Sequence, residues 1–396
     1  MKILIPSIHY PPVIGGFEIF TQAVSEEIGK TDDIFVITSR VIDTPREEIK
    51  NKLKIFRTSP QELKDLSYSS SKFILGAMVW IFFKSLRTIR KEKIELIHAQ
   101  GFLSGILSYI LSKITKVPYI ITIQSADFSV YHHKLNIKPI VRFYEKMERT
   151  IFKNAKYCHA ISYHLEKHLL KYEPKATIVI PNGVDTKKFV PDPDKFSTRK
   201  KLGFDTKNLI ICVSRLEYKN GTHDLIAAAK LLNKEVKDFK IVICGSGSQK
   251  EELEKMITDF GLKEKIFLLG SVLYAKIPQY VGAADIFIRP SLAEGFGNVF
   301  VEAMAAGAAV IGTPVGGIPD FLKDPLTHSG QANGLFCEPG NSKDIAEKIK
   351  KLINDKVLAQ KIINGGIKTA REEYDWVGIA QRVRNLYKKV LSESTN

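Results

Sequence analysis

The sequence predicts an α/β fold of two Rossmann-like, doubly wound domains, and three observations support this prediction. Short, continuous apolar runs alternate with longer helical patterns along the chain, as is typical of parallel sheets with helices on both faces. This alternation restarts after a polar, proline-bearing stretch at residues 181–205. A chain of 396 residues is also longer than one hydrophobic core usually supports. We therefore expect two domains that face each other across a cleft.

The apolar runs predict strands, because most are too short for ordinary helices. They occupy residues 2–6, 33–39, 94–100 and 119–124 in the first half, and residues 209–214, 240–245, 265–270, 286–290 and 309–313 in the second. In sheets of this kind, ligands bind beyond the carboxyl ends of the strands. Candidate site residues are therefore expected in the loops that follow the strands.

Composition and charge narrow the class of partner. The chain carries 59 basic and 43 acidic residues, a net charge of +16, which attracts nucleic acid, anionic lipid or phosphorylated substrates. The sequence has no basic stretch with interleaved aromatic residues, so we expect no nucleic-acid partner. The four cysteines form no CxxC pair and are predicted to be buried thiols, and the amino terminus predicts a strand in place of a signal peptide. These features predict a cytoplasmic location.

An apolar run at residues 73–83 is followed by several basic residues. Its eleven residues are too few to span a bilayer, which takes about 20. The pattern fits a buried helix with a basic last turn, and we expect burial. It also fits a helix that lies on an anionic membrane. Peripheral contact of the segment from Phe73 to Lys93 with the inner face of a membrane therefore stays open as an alternative.

The stretch EGFGNVFVE places two carboxylates, Glu294 and Glu302, eight positions apart around a glycine loop. If a helix begins at Asn298, its free N–H groups and positive dipole end suit an anion such as phosphate. The carboxylates accept hydrogen bonds from hydroxyl groups while they are ionised. This combination predicts a site for a ligand with hydroxyls beside a phosphate, such as a sugar nucleotide. The alternative is a surface loop with one exposed glutamate on an amphipathic helix.

Two other loops carry residues suited to an anionic ligand. Gly15 and Gly16 follow the first strand and let backbone amides approach a ligand closely, although a tight turn into a helix explains them equally well. Arg215 and Lys219 follow the strand at 209–214 and suit a diphosphate. Surface ion pairing is the alternative for these two cations.

Two features imitate known motifs. Gly245 starts the loop GSGSQK, which fits a nucleotide contact or a tight turn, but a dinucleotide fingerprint would need glycine where Lys250 stands. Asp192 and Asp194 form a DxD pair between prolines in the predicted linker. We expect no metal there, because the pair lies in a turn-forming segment.

The series HYPPVIGG, PNGVD, SRLEYKNG, GSG and RPSLAEGFGNVFVEAMAAGAAVIGTPVGGIPD resembles the retaining glycosyltransferases of family 4, which have the GT-B fold. The most specific block is residues 290–320, and the segment at 374–391 is similar to the last helix of the family, which crosses back to the first domain. The resemblance implies an acceptor-binding domain at 1–183 completed by 377–396, and a nucleotide-sugar-binding domain at 184–376.

The resemblance also implies roles for individual residues. Glu302 would bind the ribose hydroxyls of the donor, Glu294 would contact the donor sugar, and Arg215 and Lys219 would neutralise the leaving diphosphate. Arg215, Lys219 and Glu294 would thus be the catalytic residues. The implied donor-binding set is Gly15, Gly16, Gly245, Ser271, Phe296, Gly297, Asn298, Val299 and Glu302.

The reaction implied by the resemblance takes place on one face of the sugar. The acceptor hydroxyl enters beside the departing diphosphate, whose oxygen takes the proton, so neither a protein nucleophile nor a metal cofactor is expected. The implied donor is a UDP- or GDP-linked hexose, and the acceptor is a glycan, a lipid-linked saccharide or a small glycoside. Two alternatives stay open: a sugar-nucleotide epimerase, and a basic protein that binds nucleic acid or an anionic surface. The sequence leaves the oligomeric state undetermined.

One position departs from the family pattern. Many members carry a histidine after the strand at 119–124, where this chain has Gln124, followed closely by Asp127. Glutamine forms hydrogen bonds but does not titrate near neutral pH. Gln124 and Asp127 are candidate contacts to donor sugar or acceptor. His98, at a strand end, is a further candidate for such a contact or else a structural histidine.

Overall fold

A computed structural model describes residues 1–13, 15–63, 71–124, 138–326 and 332–394. The chain divides into two units, one comprising residues 1–182 with 376–396 and the other residues 183–375. Each unit is built around one largely parallel sheet. The predicted class, two Rossmann-like α/β domains, is confirmed.

The first unit contains an eight-stranded sheet of order β3-β4-β2-β1-β5-β6-β7-β8. Its strands are β1 (Lys2–Pro6), β2 (Asp33–Val41), β3 (Glu47–Lys50), β4 (Leu53–Leu63), β5 (Leu96–Gln100), β6 (Tyr119–Ile123), β7 (Cys158–Ala160) and β8 (Thr177–Val179). Neighbouring strands are parallel except β3, which pairs antiparallel with β4. The central strands are buried on both faces, which is why their sequences are continuous apolar runs.

The helices of the first unit are α1 (Gly16–Ile28), α2 (Ser71–Glu92), α3 (Gly101–Thr115), α4 (Lys138–Asn154), α5 (Tyr163–Leu170) and, from the carboxyl terminus, α14 (Trp376–Ser394). Helix α14 packs against α1. Its apolar side chains, among them Val383, Leu386 and Tyr387, lie in the same core as Ile3 and Phe20. The last helix therefore completes the first unit.

The second unit contains a six-stranded sheet of order β11-β10-β9-β12-β13-β14. Its strands, all parallel to their neighbours, are β9 (Leu209–Val213), β10 (Lys240–Cys244), β11 (Ile266–Gly270), β12 (Ile286–Arg289), β13 (Ala309–Gly312) and β14 (Leu335–Phe336). The strand order reverses between β9 and β12. Such a switch point opens a crevice at the carboxyl ends of the two strands, where ligands of this fold class bind.

The helices of the second unit are α6 (Lys195–Lys201), α7 (Thr222–Glu235), α8 (Lys250–Asp259), α9 (Ile277–Ala283), α10 (Asn298–Ala305), α11 (Ile318–Phe321), α12 (Ser342–Asn354) and α13 (Lys356–Glu373). Two short 3₁₀ turns, Tyr218–Asn220 and Tyr274–Lys276, follow β9 and β11. Both turns lie at the carboxyl edge of the sheet, where they carry side chains of the candidate site.

Every predicted strand is present, most of them one or two residues shorter than the apolar run. The prediction missed β3, β4, β7, β8 and β14. Strands β7, β8 and β14 have only two or three residues, too few to give a pattern, and β3 is a polar edge strand, EEIK. The four cysteines are buried free thiols, as predicted. Among the described residues, no helix has the length and apolar character that crossing a bilayer requires.

Candidate functional site

The loops that follow β9, β10 and β11 are joined by hydrogen bonds. The amide of Leu216 donates to the carbonyl of Ser246 (2.9 Å), and the amide of Gly245 donates to the carbonyl of Gly270 (2.8 Å). The hydroxyls of Ser246 and Ser271 lie 2.7 Å apart. Two predicted donor-binding residues, Gly245 and Ser271, thus lie on adjacent loops at the carboxyl edge of the second sheet.

Two glycines allow neighbouring loops to approach more closely than any other residue would. A Cβ atom on Gly245, whose φ is +151°, would lie 1.8 Å from the carbonyl oxygen of Ser214. A Cβ atom on Gly316, with φ of +58°, would lie 1.7 Å from the carbonyl oxygen of Glu294. Both contacts would force the backbone apart. Gly245 therefore has a structural role in addition to its predicted one.

Arg215 and Lys219 lie on the loop after β9, next to the loop that carries Glu294. The carbonyl of Lys219 accepts a hydrogen bond from the amide of Leu292 (2.7 Å). The carbonyl of Arg215 accepts one from Nδ2 of Asn220 (2.7 Å). The side chain of Arg215 is exposed. The loop is thus fixed through its backbone, while its cationic side chains stay near the surface.

Glu294 is held by Arg289, the last residue of β12. The guanidinium Nη2 of Arg289 lies 2.5 Å from Oε2 of Glu294, and the two side chains are only 13% and 15% exposed. The same nitrogen donates to Oδ1 of Asn220 (2.8 Å). Oε1 of Glu294 accepts a hydrogen bond from the amide of Gly295 (3.0 Å). Arg289 therefore ties the loop of Glu294 to the loop of Arg215, across the switch point between β9 and β12.

Glu302 is buried in α10, with 3% of its surface exposed. The hydroxyl of Tyr274 donates a hydrogen bond of 2.7 Å to Oε1 of Glu302. Burial raises the pKa of Glu302 from its ordinary value of 4.5 to about 7, although the hydrogen bond from Tyr274 favours the ionised form. Burial, followed by the nearby charge of Glu302, raises the pKa of Tyr274 as well. The hydroxyl of Tyr274 therefore stays protonated and donates a hydrogen bond to this carboxylate.

Helix α10 begins at Asn298, as the sequence predicts, and Gly297 is its N-cap residue. Glycine has no side chain to cap a helix, and the amide of Phe300 donates to the carbonyl of Gly297 (3.0 Å). Phe296 is buried, and its ring contacts those of Phe321 and Tyr374 at centroid distances of 5.1 and 5.9 Å. Phe296 can therefore offer only its backbone to a ligand. Asn298 and Val299 are partly buried.

In the first unit, the glycine loop lies beside Gln124. Helix α1 begins at Gly16, and a Cβ atom there would lie 3.4 Å from Oε1 of Gln124. Nδ2 of Asn182 donates to the same oxygen (3.3 Å). Gln124 is 8% exposed, and its buried Nε2 has no hydrogen-bond partner among the described residues. The structure thus brings together three predicted residues, since Gly15 is the N-cap of the same helix.

Glu18 also belongs to this cluster. A Cβ atom on Gly15 would lie 2.4 Å from Oε2 of Glu18, which is in the first turn of α1. Burial raises the pKa of Glu18 above its ordinary value. Glu18 was not among the predicted site residues.

The geometry of His98 fits a structural histidine, which is one of the two roles that the sequence left open for it. It has no exposed surface. Its Nδ1 lies 2.6 Å from the hydroxyl of Tyr387, and its Nε2 lies 2.6 Å from Oγ1 of Thr122, which also contacts His159. Burial lowers the pKa of His98 well below its ordinary value. The other candidate in this region, Asp127, lies outside the described residues.

The part of the chain that the structure describes contains no group of three or more histidine, cysteine or acidic side chains that could hold a metal ion. Asp192 and Asp194 have structural roles. Asp194 caps α6 by accepting a hydrogen bond from the amide of Ser197 (3.0 Å), and Asp192 accepts one from the amide of Asp194 (2.9 Å).

Sequence reasoning missed Arg289, Asn220 and Tyr274. Arg289 carried a usable signal, because it is a cation at the end of an otherwise apolar strand. Asn220 lies within the motif SRLEYKNG but has no distinctive spacing. Tyr274 lies in a short 3₁₀ turn that no sequence pattern marks.

Two family profiles match the chain, and together they include nearly all of the residues discussed above. The profile "Glycosyltransferase Family 4" matches residues 14–188, and the profile "Glycosyl transferases group 1" matches residues 194–369. The chain belongs to the family 4 glycosyltransferases. The predicted family is therefore confirmed.

Two curated relatives illustrate the range of this family. An uncharacterized glycosyltransferase of Methanocaldococcus jannaschii is 27% identical over an alignment of 404 positions, which covers 98% of this chain and 98% of the relative. The gpi3 subunit of phosphatidylinositol N-acetylglucosaminyltransferase from Schizosaccharomyces pombe is 32% identical over 222 residues, which is 56% of this glycosyltransferase and 45% of the relative.

Two solved structures have the same fold as this glycosyltransferase. Sucrose-phosphate synthase from Thermosynechococcus elongatus has a TM-score of 0.82 at 21% identity over 99% of both chains. HepE from Anabaena, solved in complex with UDP-glucose, has a TM-score of 0.75 at 22% identity over 98% of this chain and 100% of HepE. At these identities the similarity shows the GT-B fold alone.

Proposed function

We propose that this glycosyltransferase moves a hexose-type sugar from a nucleoside-diphosphate sugar to an acceptor hydroxyl, with retention of anomeric configuration and without a metal ion. The observation that carries the proposal is the arrangement around α10. Two carboxylates, Glu294 and Glu302, lie on either side of a helix N-terminus whose cap residue has no side chain. A diphosphate between two hydroxyl-bearing sugars has the matching chemistry.

The contacts of the two glutamates suit different parts of the donor. Glu302 is buried and already accepts a hydrogen bond from Tyr274, so it is placed to accept further hydrogen bonds from the ribose hydroxyls. Glu294 lies closer to the surface, in the loop before α10, and would accept hydrogen bonds from the sugar. The amides of Gly297, Asn298 and Val299 lie between them along the chain and would bind sugar hydroxyls and diphosphate.

Arg289 makes Glu294 a better anchor than nucleophile. An arginine 2.5 Å from the carboxylate balances its charge and holds it in one orientation. A nucleophile or general base would need that negative charge to be available. The ion pair thus favours a mechanism in which the protein positions the donor and supplies no covalent intermediate.

In the proposed reaction, the bond between the anomeric carbon and the diphosphate oxygen breaks while the acceptor oxygen bonds to the same carbon from the same face. The acceptor proton passes to the departing diphosphate oxygen. Arg215, Lys219 and the N-terminus of α10 would stabilise the negative charge that develops on the leaving group. These groups would do the work that a divalent metal ion does in other transferases.

Names of the similar proteins support the choice of substrates. HepE was solved with UDP-glucose, which supports a UDP-linked hexose, and a GDP-linked hexose is the alternative donor. The gpi3 relative belongs to an enzyme named for phosphatidylinositol, which favours a lipid-linked acceptor over a free glycan or small glycoside. The second unit would bind the donor and the first unit the acceptor. Gly15, Gly16 and Gln124 would then contact the transferred sugar or the acceptor.

The test is a transfer assay with UDP- and GDP-hexoses and two acceptors, phosphatidylinositol in vesicles and an alkyl glycoside in solution. The variants are Glu294→Ala and Arg215→Ala, with Lys255→Ala, an exposed lysine on α8, as matched control. We expect each site variant to lose about a hundredfold or more in transfer, while the control keeps wild-type turnover. Wild-type turnover in either site variant would refute the site. Conversion of the donor without transfer would support the epimerase instead.

A further inference from the structure

Helix α2 presents an apolar face to solvent. Four large apolar side chains on it are exposed by about half or more: Leu75 (66%), Val79 (49%), Trp80 (52%) and Phe83 (61%). The opposite side of the helix, which carries Ala77, Ile81 and Ser85, is buried against the first sheet. The apolar run thus contains more apolar side chains than the core of the first unit buries. The expectation that this segment is buried holds for one side of the helix only.

The apolar surface continues onto α3, which packs beside α2. Both helices contact β1 and therefore cover the same sheet. Ile110 and Ile114 on α3 are 41% and 49% exposed. Single exposed apolar residues are normal on a protein surface, but a cluster on two adjacent helices marks an interaction site.

Basic residues continue the exposed face of α2 beyond Phe83. Arg87, Arg90 and Lys91 are exposed, at positions that follow Phe83 by one and two helical turns. Phe83, Leu86 and these three cations line a surface hollow of about 450 Å³. Lys113, in the last turn of α3, and Lys116, its C-cap residue, are exposed near Ile114. Exposed apolar side chains and cations thus lie together on these two adjacent helices, and we call this region the α2–α3 surface.

We propose that the α2–α3 surface binds the headgroup region of a bilayer that contains anionic lipid. Such a bilayer offers both partners that the surface requires, hydrocarbon for the apolar side chains and negative charge for the cations. Trp80 and Phe83 are residue types that favour the boundary between headgroups and hydrocarbon. The helix would lie in the plane of the membrane with its buried side against the sheet.

Charge complementarity favours a membrane over a second copy of the chain. A symmetric dimer through this surface would bring Arg87, Arg90 and Lys91 of each copy to the same interface. The net charge of +16 per chain adds to this repulsion. An anionic bilayer instead gains attraction from every one of these cations.

Vesicle binding tests this inference independently of sugar transfer. The full chain is mixed with phosphatidylcholine vesicles, with or without about 30 mol % phosphatidylglycerol, at about 0.15 M salt, and sedimented. We expect binding to the anionic vesicles and little binding to the neutral ones. About 1 M salt should weaken the binding at least tenfold. Equal binding to both vesicle types, or to neither, would overturn the proposal.

Two sets of variants locate the contact. Trp80→Ser with Phe83→Ser removes apolar area, and Arg87→Gln, Arg90→Gln and Lys91→Gln together remove charge. Matched controls change exposed residues elsewhere: Val357→Ser with Leu170→Ser, and Lys361→Gln, Lys368→Gln and Arg371→Gln together. We expect each α2 variant to lose at least about tenfold in partitioning, with each control within about twofold of wild type. Wild-type partitioning of the α2 variants would overturn the proposal.

Tryptophan fluorescence tests whether Trp80 contacts the membrane. The chain has two tryptophans, so Trp376→Phe leaves Trp80 as the only one. Trp80 emission should shift to shorter wavelength on anionic vesicles and be quenched by brominated lipid chains. Unchanged emission would contradict contact at α2. The surface would instead bind a second copy if wild type were a dimer, the Trp80→Ser with Phe83→Ser variant were a monomer, and neither protein bound vesicles. That result would overturn the proposal.

Discussion

The hydroxyl of Tyr274 donates a hydrogen bond of 2.7 Å to Oε1 of Glu302, a carboxylate that is almost completely buried in α10. Burial raises the pKa of Glu302 to about 7. A side chain that should accept hydrogen bonds from ribose is therefore only half ionised near neutral pH. The raised pKa of Glu302 should therefore give nucleotide binding a pH dependence near neutral pH, which an exposed glutamate would not produce.

Nucleotide affinity should rise between pH 6 and 8, because only the ionised form of Glu302 accepts hydrogen bonds through both oxygens. With a pKa of about 7, the ionised fraction grows about tenfold over this range. Calorimetric titration of a nucleoside diphosphate at several pH values measures the change. Glu302→Gln should bind weakly at every pH, and Tyr274→Phe should shift the midpoint upward. A flat wild-type profile would contradict the prediction.

The carboxyl of Glu302 should also affect the stability of the ligand-free protein. The pKa of Glu302 is raised in the folded state, so the folded state binds the proton more tightly than the unfolded state does. The contribution of Glu302 to the free energy of unfolding is fully present below about pH 4.5 and is lost as pH rises to about 7. The change is on the order of 3 kcal/mol. Urea unfolding of wild type and Glu302→Gln measures it, and identical pH profiles would contradict it.

Arg289→Met should destabilise the second unit by about 2–3 kcal/mol, because it leaves the partly buried carboxylate of Glu294 without its counter-charge. The double variant Arg289→Met with Glu294→Gln should recover most of that loss, while transfer stays low. Thermal and urea unfolding of the four proteins in this cycle give the coupling free energy. Additive effects would show that the ion pair does not fix Glu294.

Tyr387→Phe should lower the free energy of unfolding by about 1–3 kcal/mol, because it removes the hydroxyl that bonds Nδ1 of buried His98. KM and kcat should stay at wild-type values at temperatures where the variant is folded. Steady-state kinetics combined with urea unfolding separates the two effects. A changed KM with unchanged stability would return His98 to the set of ligand contacts.

Transfer should persist in excess chelator, because the proposed site meets the charge of the diphosphate with Arg215, Lys219 and a helix N-terminus. Turnover is measured with about 10 mM EDTA after dialysis against chelator, with added Mg²⁺ or Mn²⁺ as the comparison. Complete loss of activity that a divalent ion restores would contradict the metal-free proposal.

Local patterns were sufficient to predict much of the fold and part of the candidate site. The continuous apolar runs identified the central strands because both faces of a parallel sheet are buried. The start of α10 at Asn298, and Glu302 about one turn later, followed from glycine and polar residues before an apolar helical pattern. These features depend on residues that are neighbours in the sequence.

The features that were missed depend on contacts between distant residues. Arg289 pairs with Glu294, and it also bonds Asn220 on another loop, 69 positions away in sequence. No local sequence pattern predicts these two contacts. His98 was ambiguous because its partner, Tyr387, is 289 positions away. For α2, the apolar run showed that a helix could be buried. Only packing against the sheet showed that Trp80 and Phe83 remain exposed.

The most direct test of the donor site is calorimetric titration of wild type and Glu302→Gln with UDP, GDP, ADP and their hexose conjugates. The exposed-lysine variant Lys255→Gln serves as control. We expect at least one nucleoside diphosphate to bind wild type and the control equally, and to bind Glu302→Gln at least about tenfold more weakly, a difference of about 1.4 kcal/mol. Binding of no nucleotide, or equal binding by Glu302→Gln, would contradict the assignment.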